Sequence, residues 1–185
     1  ASSKIEGLEA GPRRLLDAEV VLARGGDAAD RIAVEVLANV AAMEAAVELG
    51  ASTDRITVDD LLGIHRILME RSATPGVGGV VRTVQNWIGG SSYNPCSAAF
   101  VPPPPDALVA LLHDLLAYIN GDDHPALVQA AIAHAQFETI HPFADGNGRT
   151  GRAIIHVILR RRGLAPRFVP PISLVLATWA SDYIA

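Results

Sequence analysis

Apolar residues recur at every third or fourth position along most of the chain, the spacing that places them on one face of an α-helix. The segment 12–24 predicts a short amphipathic helix. The segment 27–49 predicts a long helix, and Gly50 is expected to end it. The apolar stripe of this long helix comprises Ile32, Val36, Val40, Met43 and Val47.

Further along the chain, helices are marked by residues that typically start or end them. Thr57 and Asp60 form a capping-box pattern, which predicts a helix that ends near Arg71. Asp106 follows a run of four prolines and is the predicted N-cap of a helix over 107–120.

The last three predicted helices flank or follow a polar loop. The helix over 125–140 consists almost entirely of Ala, Val, Ile and Phe, so we expect it at the centre of the bundle. The helix over 148–162 follows the loop and ends at Gly163. A short apolar helix over 173–183 comes last.

The segment 72–101 differs from the rest because Gly, Pro, Ser and Asn are frequent in it. The β-branched residues over 80–88 predict a strand, 89–92 predicts a turn, and 97–101 predicts a returning strand. The sequence thus predicts one hairpin in an otherwise helical chain. In the simplest interpretation this hairpin only covers the core, and Trp87 is a packing residue.

Composition narrows the class of protein. Half of the 185 residues are hydrophobic and 5% are aromatic, which indicates one domain with a core of Ala, Leu, Ile and Val. The formal net charge is −5, and the basic run Arg160-Arg161-Arg162 stands where a helix C-terminus favours positive charge. No basic stripe typical of direct nucleic-acid binding is present.

The single cysteine, Cys96, excludes an internal disulfide and a multi-cysteine zinc site and is typical of a reducing cytoplasm. No apolar run reaches the roughly 18 residues that a membrane helix needs, and no signal-peptide pattern is visible. The chain starts at Ala1 without Met, which is compatible with a piece of a longer chain that has flanking segments. None of the histidines His65, His113, His124 and His134 has metal-ligand spacing, and we expect them to be structural or surface residues.

The stretch from His141 to Arg152 concentrates the candidate chemistry. A glycine-rich turn followed by a helix start suits an anion, because backbone N–H groups and the positive end of the helix dipole point outward there. Arg149 and Arg152 are three positions apart and share a helix face. Asp145 offers the oxygen ligand that Mg²⁺ prefers, and His141 can act as base or acid near neutral pH. The residues predict a nucleotide-phosphate site with a base beside it.

This stretch matches, position for position, the motif His-x-Phe-x-Asp/Glu-Gly-Asn-Gly-Arg-x-x-Arg, and the chain thereby resembles the Fic (Fido-fold) family. The resemblance implies a mainly α fold, a Fic/Fido helical bundle with a small β-hairpin flap. It assigns 12–185 to the Fic domain, with the flap at about 77–101 and the active-site loop at 141–152. The implied activity is protein adenylyltransfer: AMP moves from ATP to a Ser, Thr or Tyr hydroxyl of a target protein, and pyrophosphate leaves.

The resemblance also implies roles for single residues. His141 would be the general base, and Asp145 would hold Mg²⁺ against the phosphates. Arg149 would bind the β-phosphate and Arg152 the γ-phosphate, while Phe143 is expected to anchor the loop in the core. Backbone N–H groups, together with the Asn side chain, would line the anion hole at Gly146, Asn147 and Gly148.

The first residues resemble the family's inhibitory motif Ser/Thr-x-x-x-Glu-Gly/Asn, and 1–11 is interpreted as an inhibitory segment. Ser2, Glu6 and Gly7 occupy the specified positions. The resemblance implies that Glu6 pairs with Arg152 and denies this arginine to ATP. Without the resemblance, the same residues would indicate an ordinary helix start with a solvated glutamate.

In the family, the hairpin is the flap whose exposed edge binds the backbone of the target as an added strand. The resemblance assigns this docking role to Gln85, Asn86, Trp87 and Ile88. The expected partner is a protein with a hydroxyl side chain, self-modification included, with no nucleic acid and no membrane. Because Fic proteins often dimerise through helices, the resemblance also admits a homodimer.

Two alternatives stay open beside adenylyltransfer. A deAMPylase would use Glu6 to position water and remove AMP from a modified protein. A non-catalytic nucleotide-binding module would need neither the base His141 nor Asp145. A kinase-like branch of the fold carries Lys at the second motif glycine, and Gly148 departs from that branch.

Overall fold

The computed structural model describes residues 2–91 and 93–179. Position 92 of the predicted turn and positions 180–183 of the predicted last helix lie outside the described residues. The helices are α1 Ser2–Ile5, α2 Pro12–Ala23, α3 Arg31–Ser52, α4 Val58–Met69, α5 Leu108–Asn120, α6 Ala126–Ile140, α7 Asn147–Arg161 and α8 Ile172–Thr178. Short 3-10 turns lie at Pro75–Val77, Pro95–Ser97 and Pro105–Ala107.

The helix after the polar loop, α7, forms the centre of the bundle. Every residue from Arg149 to Leu159 is buried, because α7 packs against α3, α4 and α6. The prediction that the preceding helix is central is wrong. One face of α6 carries the exposed side chains Leu127, Val128 and Ile132, because this helix packs mainly against α5 and α7 among the described residues.

The long helix α3 differs from its prediction in bounds and in buried face. It begins after Asp30, whose side chain accepts a hydrogen bond from Ala33 N (3.1 Å). It continues through Gly50 to Ser52, so Gly50 is not its end. A Cβ atom on Gly50 would lie 2.5 Å from the Val157 carbonyl oxygen, which shows that this glycine permits close approach to α7. The buried face consists of small residues, Ala33, Ala38, Ala42 and Ala46 among them, whereas Ile32 and Val40 of the predicted stripe are exposed.

The N-cap of α4 agrees with its prediction, and the N-cap of α5 does not. The capping box at α4 is confirmed: Asp60 N donates to Thr57 Oγ1 (3.3 Å) and Thr57 N donates to the Asp60 carboxylate (2.8 Å). Asp106 as the N-cap of α5 is wrong. It lies inside a 3-10 turn, in which Ala107 N donates to Pro104 O, and Ala107 takes the cap position without a side-chain bond.

The predicted hairpin is reduced to one antiparallel bridge between Ile88 and Phe100. Ile88 N donates to Phe100 O (2.9 Å), and no longer strand forms within the described residues. The strands predicted over 80–88 and 97–101 are therefore wrong in extent. Backbone groups of this segment bind elsewhere, since Arg82 N donates to Pro142 O (2.9 Å), and a 3-10 turn interrupts the returning chain. The flap lies directly against the polar loop.

Candidate functional site

His141 ends α6 in the left-handed conformation, with φ 47° and ψ 59°. It is the sole non-glycine residue with positive φ in the part of the chain that the structure describes. Its Nδ1 atom is buried and has no hydrogen-bond partner among the described residues. Burial, and then the positive charge of Arg82, lower the pKa of His141. The ring is therefore neutral at pH 7 and can accept a proton.

The loop after His141 is fixed by side chains that bind its backbone. Phe143 is buried, which confirms the prediction that it anchors the loop. Asn147 Oδ1 accepts from Phe143 N (2.9 Å), and Asn147 Nδ2 donates to Phe143 O (2.8 Å). The structure thus gives the Asn147 side chain a bracing role; its Nδ2 atom carries a second N–H, so the anion-donor role stays a prediction.

His65, which the sequence indicated only as structural or surface, is a fully buried support of the loop. Its ring stacks on Phe143 with centroids 3.6 Å apart. Its Nδ1 accepts from Gly79 N (2.9 Å), so Nε2 carries the proton and donates to Asp145 O (3.0 Å). Burial lowers the pKa of His65 to about 4, which keeps this tautomer uncharged. The available sequence signal was its place on the buried face of α4 with Leu61, Ile64 and Leu68.

The start of α7 presents unpaired donors to an anion. Gly146 is the N-cap, with φ 77°, and Thr150 N makes the first intrahelical bond to Gly146 O. The amides before Thr150 therefore have no acceptor within the helix. Arg149 is buried, yet its Nε and Nη1 atoms make no hydrogen bond among the described residues; Nη1 lies 3.9 Å from the Glu35 carboxylate, an ion-pair distance. The Asp145 carboxylate lies 3.5 Å from its Nη2 atom. A buried guanidinium at a helix N-terminus, with donors that are not hydrogen-bonded, is suited to phosphate.

The inhibitory-motif residues lie on the same helix start. Arg152 Nη2 donates to Glu6 Oε1 (2.7 Å), and Arg152 Nε donates to Ser2 Oγ (2.9 Å). A Cβ atom on Gly148 would lie 2.6 Å from Glu6 Oε1, so the carboxylate covers the first turn of α7. Gly7, with φ 75°, turns the chain after α1. The Glu6 carboxylate thus lies where an anion bound to α7 would lie.

Glu138 is a charged neighbour of the site that sequence reasoning missed. It lies one helical turn before His141, and its Oε1 atom is buried without a hydrogen bond among the described residues. Burial raises the pKa of Glu138 to about 7, although the charge of Arg152 acts in the opposite direction. Gly151 lies against this carboxylate, and a Cβ there would collide with it. No sequence signal beyond the helical spacing to His141 indicated this group.

The four flap residues differ in their relation to the loop. Asn86 Nδ2 donates to Phe143 O (3.2 Å) and so reaches the loop. Gln85 Nε2 donates to Pro102 O (2.9 Å), and Trp87 Nε1 donates to Ser91 O (2.7 Å), so both bind within the flap and its base. Ile88 makes the single bridge.

Across residues 2–91 and 93–179, no three His, Cys, Asp or Glu side chains come together as a metal cluster. Within the same ranges, no helix has both the length and the apolarity that crossing a membrane requires.

Solved structures of known proteins share this fold. A Fic family protein from Desulfovibrio desulfuricans G20 aligns with a TM-score of 0.73 at 29% identity, over 98% of this chain and 52% of that one. Fic-1 from C. elegans aligns with a TM-score of 0.69 at 26% identity, over 99% of this chain and 52% of that one.

Sequence comparison agrees with the structural one. The protein adenylyltransferase fic-1 of Caenorhabditis elegans is 33% identical over 125 residues, which are 66% of this chain and 23% of that protein. The protein adenylyltransferase Fic of Culex quinquefasciatus is 37% identical over 117 residues, 61% of this chain and 21% of that protein. The chain thus spans less than a quarter of the length of these curated relatives. The model of the Fic/DOC family matches residues 55–159, more than half of the chain, and the chain therefore belongs to the Fic/DOC family.

Proposed function

We propose that this chain is a protein adenylyltransferase that moves AMP from ATP to a hydroxyl of a target protein and that Glu6 inhibits it. The observation that carries the proposal is the position of His141 directly before the start of α7, where the buried Arg149 has donors that make no hydrogen bond among the described residues. The names of the curated relatives support the same reaction.

In the proposed reaction, the target hydroxyl gives its proton to His141 as its oxygen attacks the α-phosphorus of ATP. The bond between this phosphorus and the bridging oxygen breaks, and the electron pair leaves with pyrophosphate. Amides at the start of α7, together with Arg149, would stabilise the phosphate charge. AMP ends on the target oxygen, and His141 holds the released proton.

Asp145 is the residue that fits Mg²⁺. Its side chain is 56% exposed. Among the described residues only its Oδ1 atom is engaged: it accepts from Gly146 N (2.6 Å) and lies 3.5 Å from Arg149 Nη2. A single carboxylate suffices because Mg²⁺ at nucleotide sites takes most of its ligands from phosphates and water. A bound Mg²⁺ would supply charge neutralisation on the pyrophosphate leaving group.

Inhibition follows from competition for one guanidinium. Arg152 is 1% exposed and its Nη2 atom donates to the Glu6 carboxylate (2.7 Å), so a phosphate that binds this atom must displace the carboxylate. A carboxylate and a phosphate use the same donor fork of arginine. Removal of the Glu6 side chain should therefore free Arg152 for the γ-phosphate.

The test is AMP transfer from ATP labelled at the α-phosphate, with Mg²⁺ and self-labelling as the readout. Glu6→Gly should label strongly, whereas the parent and the double variant Glu6→Gly with His141→Ala should label weakly. Glu9→Gly is the matched control. Glu9 is an exposed glutamate of the same segment, and its carboxylate pairs with Lys4 and not with the site. If Glu6→Gly does not bind ATP, the assignment of the anion site is wrong. If it labels fully without His141, the proposed base is wrong.

The reverse reaction is a second candidate because the Glu6 side chain keeps 38% exposure and so can contact water beside the phosphate site. In that reaction, water in place of the hydroxyl would release AMP from a modified protein. Incubation of the self-labelled Glu6→Gly protein with unlabelled parent chain distinguishes the two. Release of labelled AMP by the parent, but not by added Glu6→Gly, would favour removal.

A further inference from the structure

Arg82, at the base of the flap, is a buried arginine that the motif does not include. Its side chain is 5% exposed. The guanidinium donates from Nε to His141 O (2.9 Å), from Nη1 to Val84 O (3.2 Å) and from Nη2 to Pro103 O (2.6 Å). All three acceptors are backbone carbonyls, and they come from the active-site loop, the flap and the proline-rich link.

Such a set of partners is unusual for a buried charge, which is ordinarily paired with a carboxylate. No carboxylate among the described residues forms an ion pair with Arg82. Burial lowers the pKa of Arg82, which reflects the cost of keeping the charge there. The planar fork of arginine, which can bind several carbonyls in fixed directions at once, explains why this side chain fits the position.

One of these side-chain bonds, together with a bond from the backbone of Arg82, acts on consecutive peptide groups of the loop. Arg82 Nε binds the carbonyl of His141, and Arg82 N binds the carbonyl of Pro142 (2.9 Å). His141 is the residue that holds a left-handed backbone without being glycine, a conformation that persists only when its surroundings enforce it. The direction of the imidazole follows from the backbone that carries it.

We propose that Arg82 is a positioning residue for AMP transfer: it locks the His141–Pro142 backbone and thereby aims the imidazole at the attacking hydroxyl. This inference rests on the proposed function for its kinetic consequence but not for its structural one. Arg82 touches no reacting atom in this scheme and acts through His141.

The charge of Arg82 has a separate effect on the same ring. The charged groups that act on the pKa of His141 are Arg82 from the flap, which lowers it, and Glu6 from the N-terminal segment, which raises it; the backbone carbonyl of Glu138 beside the ring also raises it. Loss of the guanidinium should raise the pKa of His141, and the acid limb of the rate profile should move to higher pH.

The kinetic test uses the Glu6→Gly protein as parent and adds Arg82→Lys or Arg82→Met. For Arg82→Met we expect kcat to fall about 100-fold, the size that a misplaced catalytic group produces. KM for ATP should stay within about threefold, because the phosphate site is intact. Arg82→Lys keeps the charge but not the fork, so kcat should fall while the acid limb stays in place. Arg55→Met, at an exposed arginine, is the matched control.

A titration by NMR of the His141 Hε1 proton, assigned with His141→Ala, tests the inference independently of transfer. We expect the resonance of Arg82→Met to shift and to titrate at higher pH than that of the parent. Circular dichroism tests whether each variant is folded. If Arg82→Met is unfolded, the inference is judged on Arg82→Lys. If Glu6→Gly itself transfers no AMP, the proposed function fails while the titration still tests Arg82. A folded Arg82→Lys protein with parental kcat and a parental His141 resonance would overturn the inference.

Discussion

His65 links α4 to the base of the flap and to the active-site loop. Its replacement by Phe removes two hydrogen bonds and keeps an aromatic ring. In the native structure the imidazole accepts from Gly79 N and donates to Asp145 O. It also stacks on Phe143 at 3.6 Å. A phenyl ring can keep the stack, but it has neither donor nor acceptor. His65→Phe therefore isolates the contribution of the two hydrogen bonds.

The size of the effect follows from the groups left behind. His65 has 0% exposure, so water does not readily replace its bonds. A buried polar group without a partner costs about 1–3 kcal/mol, and two such groups give about 2–6 kcal/mol. Since the free energy of unfolding of a domain is typically about 5–15 kcal/mol, His65→Phe should remove a large fraction of it.

Urea unfolding followed by circular dichroism at pH 7.5 measures the free energy of unfolding. His113→Phe is the matched control, because His113 lies exposed on α5 and should tolerate the change within about 0.5 kcal/mol. If His65→Phe also remains within about 0.5 kcal/mol of the parent, the two bonds do not carry the stability assigned to them. A loss confined to His65→Phe would support the reasoning.

Three further substitutions test packing and charge by the same unfolding assay. Gly50→Ala should cost about 1–3 kcal/mol, because the new methyl group meets the Val157 carbonyl. Gly63→Ala, in the open middle of α4, should stabilise by about 0.5–1 kcal/mol, and equal effects at the two sites would contradict the packing argument. Glu138→Gln tests the carboxyl whose pKa is raised from 4.5 to about 7. Because the folded state favours the protonated carboxyl, this group stabilises the fold below pH 4.5, and the stabilisation is lost as the pH rises to 7. Relative to Glu138→Gln, the free energy of unfolding of the parent should therefore fall by about 1–2 kcal/mol between pH 4.5 and 7.5. This figure is reduced because the Glu138 side chain is 29% exposed. Parallel curves of unfolding free energy against pH for the two proteins would refute the shift.

Features that depend on neighbours in sequence were predictable. The capping box of α4 needs only residues three apart, and Thr57 and Asp60 make both of its bonds. The polar loop places its glycines and arginines within twelve positions, so the helix start after it could be read directly. By contrast, the contact of Glu6 with Arg152 joins residues 146 positions apart, and only the family resemblance indicated it.

Features that depend on how closely two backbones approach were not predictable. Large apolar residues marked one stripe of α3, but the helix buries Ala42, Ala46 and Gly50, and α7 packs against it closely. Periodicity identifies a helix and its apolar residues, but the partner backbone decides which face is covered. The same reason explains why α7, with a polar first turn, is more central than the apolar α6.

The residues that support the loop escaped the sequence for a further reason. His65 and Arg82 bind backbone groups, at Asp145 and at His141, and every residue carries such a carbonyl. A pattern of side chains therefore contains no mark of these partners, whereas His141 and Arg149 are recognisable by residue type. The two kinds of residue should also differ in what their loss does. Substitution at Arg149 should weaken nucleotide binding in a protein of near-native stability, whereas substitution at His65 should lower stability first and activity only through the displaced loop.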